Sequence, residues 1–86
     1  MATAVYRDKT VTIIQPQEDG TLINVGALEG NPTGNDSICL PNNHPAYSAI
    51  FALLMASAAN KKPIHEICVD TDARPFLTIK HVSYFF

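Results

Sequence analysis

The chain has no tryptophan, four glycines in 86 residues, no cluster of basic side chains and no apolar run of membrane-spanning length. Each lack removes a class of protein. Scarce glycine and the absence of any repeated or low-complexity segment exclude fibrous and disordered chains, and the 47% hydrophobic, 16% charged composition is that of a folded globule. Six Lys and Arg stand against eight Asp and Glu, scattered apart from Lys61-Lys62. Nucleic-acid binding, which rests on clustered positive charge, is therefore disfavoured. The uncharged helical run that ends at Asn60 reaches back through Pro45 to His44. It is too short and too rich in Ala for a transmembrane span, which needs about 20 mostly apolar residues.

Metal-ligand spacings are also lacking. His65, Glu66, Asp70 and Asp72 match no zinc pattern, and the loop that opens with Asp70-Thr71-Asp72 continues Ala73-Arg74-Pro75 where a calcium loop needs Gly. No metal and no cofactor is expected. Cys39 or Cys68 could be paired on paper with His44, His65 or His81 as nucleophile and base, but any chain with two Cys and three His allows that. No enzyme activity is expected. The start, MATAVYRDKT, has no apolar core of the secretory type, which reads as a cytoplasmic chain or as a mature form with an added Met.

What is present describes one domain over residues 1–86. Val5 to Gln15 is rich in β-branched residues and ends at Pro16 and the turn-forming Glu18-Asp19-Gly20, so it and Thr21 to Leu28 form an antiparallel hairpin. Gly30 to Asp36 concentrates Gly, Asn, Pro and Asp and is a loop. A short strand, Ser37 to Leu40, follows. Pro45 in a first turn capped by Asn43 or His44 starts a helix that ends near Asn60, where Lys61 and Lys62 suit the negative end of the dipole and Pro63 blocks continuation. Strands then occupy Ile64 to Val69 and Phe76 to Phe86. The fold class is mainly β with one helix, in the order β-β-β-α-β-β. That order predicts a five-stranded OB-fold barrel, with an open sheet carrying the helix on one face as the alternative.

The helix carries the most specific signal. At 100° per residue Tyr47, Ile50, Phe51, Leu54 and Ala58 form a bulky stripe for the domain's own core. The other side collects Ser48, Ala49, Ala52, Ala56 and Ala59, flanked by Leu53 and Met55, where a solvated helix would show charge. Small side chains admit a neighbouring backbone closely, and the chain has no second helix to supply one. The neighbour is expected to be another copy, arranged with closed symmetry.

The residues at and after the helix resemble a known group. Cys39 before the helix, Tyr47-Ser48 opening it, Leu53-Leu54-Met55-Ala56 and Ala58-Ala59 within it, Asn60-Lys61-Lys62, a strand ending near Cys68 and a closing strand to Tyr84 are similar to the small OB-fold B subunits of AB5-type bacterial toxins and the related bacterial pentamers of the subtilase cytotoxin B subunit type. The likeness covers roughly the C-terminal 50 residues. It implies a ring of five subunits with helices around the axis, sheets joined edge to edge, a carbohydrate or a partner toxin-like chain as ligand, and a secreted or periplasmic location. The alternative is a purely structural, scaffold oligomer with no small-molecule ligand.

Two polar groups are candidates for ligand contact. Asp70, Asp72 and Arg74 share the turn between the last strands, and Tyr6, Arg7 and Asp8 form a second patch. The first reads more simply as a solvated polar turn, and the second carries a similar weight against function. Asn42, Asn43 and His44 are already explained by capping. Cys39 and Cys68 could form a bridge across the helical segment, or stay as free thiols. Asn35-Asp36-Ser37 matches a glycosylation acceptor, relevant only in a eukaryotic secretory protein.

Overall fold

The computed structural model describes residues 2–85. Its elements are β1 (Thr3–Lys9), β2 (Ile13–Pro16), β3 (Gly20–Asn24), β4 (Ser37–Pro41), α1 (Tyr47–Asn60), β5 (Ile64–Asp70) and β6 (Leu77–Ser83). The chain is mainly β with one helix, and all six strands belong to one open sheet in the order β1-β5-β6-β4-β3-β2. The expected count of five strands and the closed barrel are thereby corrected. The long strand expected from Val5 to Gln15 is two strands, β1 and β2, which lie at opposite edges of the sheet.

The break between them has a local cause. Asp8 takes a left-handed backbone, with φ of 58°. Val11 then leaves the sheet and is buried, its N–H donating to the Ser57 hydroxyl of α1 at 3.2 Å instead of to a strand. Pairing resumes at once, since the Thr12 N–H donates to the Asn24 carbonyl at 2.9 Å.

This short connection bends the whole sheet. Lys9 and Ile13 are four residues apart and so separated by at most about 14 Å. A flat sheet of six strands would hold its edges about 24 Å apart. The sheet must curl, which brings its inner faces together in a body measuring 30 × 27 × 20 Å. The register shows what lines the inside: Ile14, Ile23, Ile38 and Leu77 form a continuous row across β2, β3, β4 and β6. Ile50 and Leu54 of α1 join the same core, with Tyr47, Phe51 and Ala58 packed at its margin. The bulky stripe of the helix is thus spent within the domain.

The turn expected at Glu18 to Gly20 joins β2 to β3, closed by the Gln17 N–H on the Gly20 carbonyl at 2.7 Å. Gly20 is required there, because a Cβ would lie 2.6 Å from the Leu40 carbonyl oxygen. The helix ends at Asn60 as expected, and the left-handed residue that closes it is Lys61, with φ of 53°. At the other end Ala46 is the N-cap without a side-chain cap, so neither Asn43 nor His44 caps in the expected manner. His44 acts differently, as described below. No helix among the described residues is long and apolar enough to cross a membrane.

Candidate functional site

Two surfaces of the domain depart from an ordinary solvated exterior. The first is the outer side of α1. Ser48, Ala49, Ala52, Met55 and Ala59 are exposed, while Leu53 and Ala56 are half-buried. Met55 keeps 46% of its surface in solvent. Beside this face a groove of ≈ 570 Å³ runs between the helix and β2, lined by Ile14, Pro16, Phe51, Met55, Ala58 and Ala59. Ile13, on the free edge strand β2, is 55% exposed. Helix face and groove together make one apolar region beside the edge strand β2, and Ile13 faces the other side of that strand.

Ser57 lies on the opposite, inward side of α1 and was not singled out by the helical wheel. It is fully buried, accepts the Val11 N–H, and donates from its hydroxyl to the Lys62 carbonyl at 2.7 Å. A buried hydroxyl needs partners. Here it fastens the bend between β1 and β2 to the end of the helix, so the groove's two walls are held together.

The second surface lies on the outer face of the sheet. A row of paired residues crosses all six strands there: Thr3, Asp70, Thr78, Cys39, Leu22 and Gln15. Near its centre β6 carries a bulge at Lys80, because Cys68 pairs with His81 while the next residue, Val69, pairs with Ile79. The Lys80 carbonyl accepts the Nε2 proton of His44 at 2.8 Å. The Nδ1 of the same ring accepts the Ala46 N–H at 2.9 Å. A carbonyl only accepts and an N–H only donates, so the imidazole is neutral with its proton on Nε2. The loop before α1 is thereby laid against the bulge, leaving a concavity of ≈ 390 Å³ lined by His44, Pro45, Asp70, Thr78, Ile79 and Lys80.

Of the expected ligand residues, only Asp70 lines this concavity. Its Oδ1 accepts the Asp72 N–H at 2.9 Å, and its neighbours serve the turn itself. Asp72 accepts from the Ala2 N–H at 3.0 Å, and Arg74 donates to the Thr71 and Ala73 carbonyls at 2.8 Å. The second patch is split by the strand. Tyr6 points inward, 8% exposed, with its hydroxyl donating to the Glu29 carbonyl at 3.0 Å. Arg7 points outward to Glu66, 2.9 Å from its carboxylate. Asp8 is exposed at the left-handed position. Tyr6 is therefore a core residue and no part of an exposed aromatic patch. Burial, and secondarily the Glu29 carboxylate, push its phenol above the ordinary value.

The cysteines are unbridged. Cys39 on β4 and Cys68 on β5 have β6 between them. Two strand spacings, with a further offset along β6 from Thr78, the partner of Cys39, to His81, the partner of Cys68, put their Cα atoms more than about 10 Å apart, beyond the roughly 7 Å that a disulfide spans. Cys39 sits close enough to Gly20 that a Cβ there would lie 3.2 Å from its sulfur. Burial, and secondarily Asp19, raise the Cys39 thiol above its ordinary range. Cys68 is paired across the strands with His81, but among the described residues no hydrogen bond joins the two side chains, and the thiol is buried. Among the described residues no three His, Cys, Asp or Glu side chains converge as metal ligands.

Comparison with protein-family models, with curated proteins and with solved structures gives no match. The functional reading therefore stands on these two surfaces.

Proposed function

We propose that the chain is a non-enzymatic subunit of a closed homo-oligomeric ring, most simply a pentamer, which binds a carbohydrate or docks a partner chain. The observation that carries this reading is the division of α1. Its bulky side is consumed by the core, and its other side presents Ser48, Ala49, Ala52, Met55 and Ala59 to solvent with no charged residue among them. Leu53 and Ala56, half-buried, lie at the margin of the same face. Helices that meet through small residues approach closely, and cyclic symmetry covers the same face on every copy.

The element order supports an OB-type frame carried by an open, curled sheet. Counted as one strand broken at Thr10 to Thr12, β1 and β2 leave five strands with the helix between the third and fourth. The curled sheet then begins and ends on that first strand, and β4 pairs with β6 in parallel. Two free edges at β1 and β2 suit head-to-tail contact, in which one copy's β1 meets the next copy's β2; such contacts close into rings when the rotation permits.

Ala52→Glu and Ala56→Glu test the interface. Each places a carboxylate on the proposed contact, where burial without a partner is costly. Elution at monomer size with an unchanged circular dichroism spectrum is the expected result. Full assembly of both variants removes the interface.

A further inference from the structure

We propose that the concavity at the β6 bulge is the binding site for a neutral, hydroxyl-rich ligand of monosaccharide size. This inference rests on the binding half of the proposed function and gives it a location. Its volume, ≈ 390 Å³, falls in the range of small-ligand pockets, roughly 300 to 1,000 Å³.

The chemistry of the lining selects the ligand class. Asp70 and Thr78 are directly paired across β5 and β6 on the outer face, which sets a carboxylate beside a hydroxyl. One Asp70 oxygen holds the Asp72 N–H, and a carboxylate has about four acceptor sites over two oxygens. Side by side, an acceptor-only group and a group that both donates and accepts match adjacent sugar hydroxyls, which do both. Asp70 disfavours an anionic ligand, and the apolar part of the lining, Pro45 and Ile79, leaves a charged ligand of either sign poorly solvated, so a neutral ligand suits the site. The Pro45 ring offers an apolar wall for the C–H face of a pyranose. The site is also built on fixed parts, since His44 ties the Pro45 loop to the Lys80 carbonyl. Bulges recur next to functional sites, where they re-aim side chains.

The full-length chain, labelled with ¹⁵N, is titrated at millimolar concentration with methyl glycosides of glucose, galactose, mannose and N-acetylglucosamine, with glucuronic acid as the anionic contrast. Shifts at the Thr78, Ile79 and Lys80 amides with at least one neutral sugar are expected. Asp70→Asn keeps the oxygen that accepts the Asp72 N–H, and Thr78→Val keeps the side-chain shape, so both variants retain the fold. Each raises the dissociation constant at least about tenfold. Arg74→Ala, outside the concavity, leaves it unchanged. Sugar binding with shifts elsewhere and no effect of Asp70→Asn or Thr78→Val overturns the site while leaving the proposed function standing. Response to glucuronic acid alone overturns the ligand class. Absence of any sugar response in a confirmed oligomer overturns both the site and the carbohydrate reading.

Discussion

His44 and Lys80, 36 residues apart, are joined by one hydrogen bond of 2.8 Å between the imidazole Nε2 and the main-chain carbonyl of a β-bulge. The other ring nitrogen accepts the Ala46 N–H, so a single side chain fixes how the helix leaves the sheet. The bulge presents the carbonyl and the histidine donates to it.

His44→Ala removes both bonds and leaves a half-buried carbonyl without its donor. The expected cost is about 1 to 2 kcal/mol, read as a lower urea midpoint at unchanged slope. A midpoint equal to that of the parent protein shows that the loop is held by other contacts.

Ser57→Ala strips the acceptor from the Val11 N–H and the donor from the Lys62 carbonyl, in a fully buried position. A loss of about 1 to 3 kcal/mol is expected in urea unfolding. Faster hydrogen exchange at Val11 and Lys62 accompanies it, because the bend and the helix end loosen together.

Tyr6 makes stability fall in alkali. Its folded phenol is raised above the ordinary 10.0, so the native state holds the proton longer than the unfolded chain does. Stability contributed by the neutral phenol is complete below pH 10.0 and declines as pH rises from there through the folded value. Tyr6→Phe lowers stability near neutrality by about 0.5 to 1.5 kcal/mol through loss of the bond to Glu29 and flattens the alkaline decline. Urea titrations on either side of pH 10.0 separate the two effects.

Two thiols react per chain after unfolding without reductant, since Cys39 and Cys68 are free. In the native protein at pH 8, below the ordinary thiol value of 9.0, Cys39 is more fully protonated than an unperturbed thiol. Alkylation is correspondingly slow before unfolding. Recovery of one disulfide and no thiol contradicts the arrangement of β4, β6 and β5.

The legible and illegible parts of the fold divide along local and long-range causes. The helix and both its faces follow from the spacing of Tyr47, Ile50, Phe51 and Leu54, and the hairpin from Glu18-Asp19-Gly20. The break at Thr10 to Thr12 was hidden because β-branched residues run on through it. Its cause is a bond from Val11 to Ser57, 46 residues away. Pairing of Asp70 with Thr78 depends on strand order, and the role of His44 depends on a bulge in β6. The turn of Asp70, Asp72 and Arg74 was visible, but only the strand neighbours separate Asp70, which lines a concavity, from Asp72 and Arg74, which hold the turn. Cys39 and Cys68 look pairable along the chain and are parted by a strand that comes after both.

The central claim is assembly through the outer side of α1, and light scattering on the purified full-length chain at micromolar concentration tests it most directly. A single particle with the mass of a closed ring, five copies in the simplest case, is predicted. A particle of 9.4 kDa, one chain, contradicts the account.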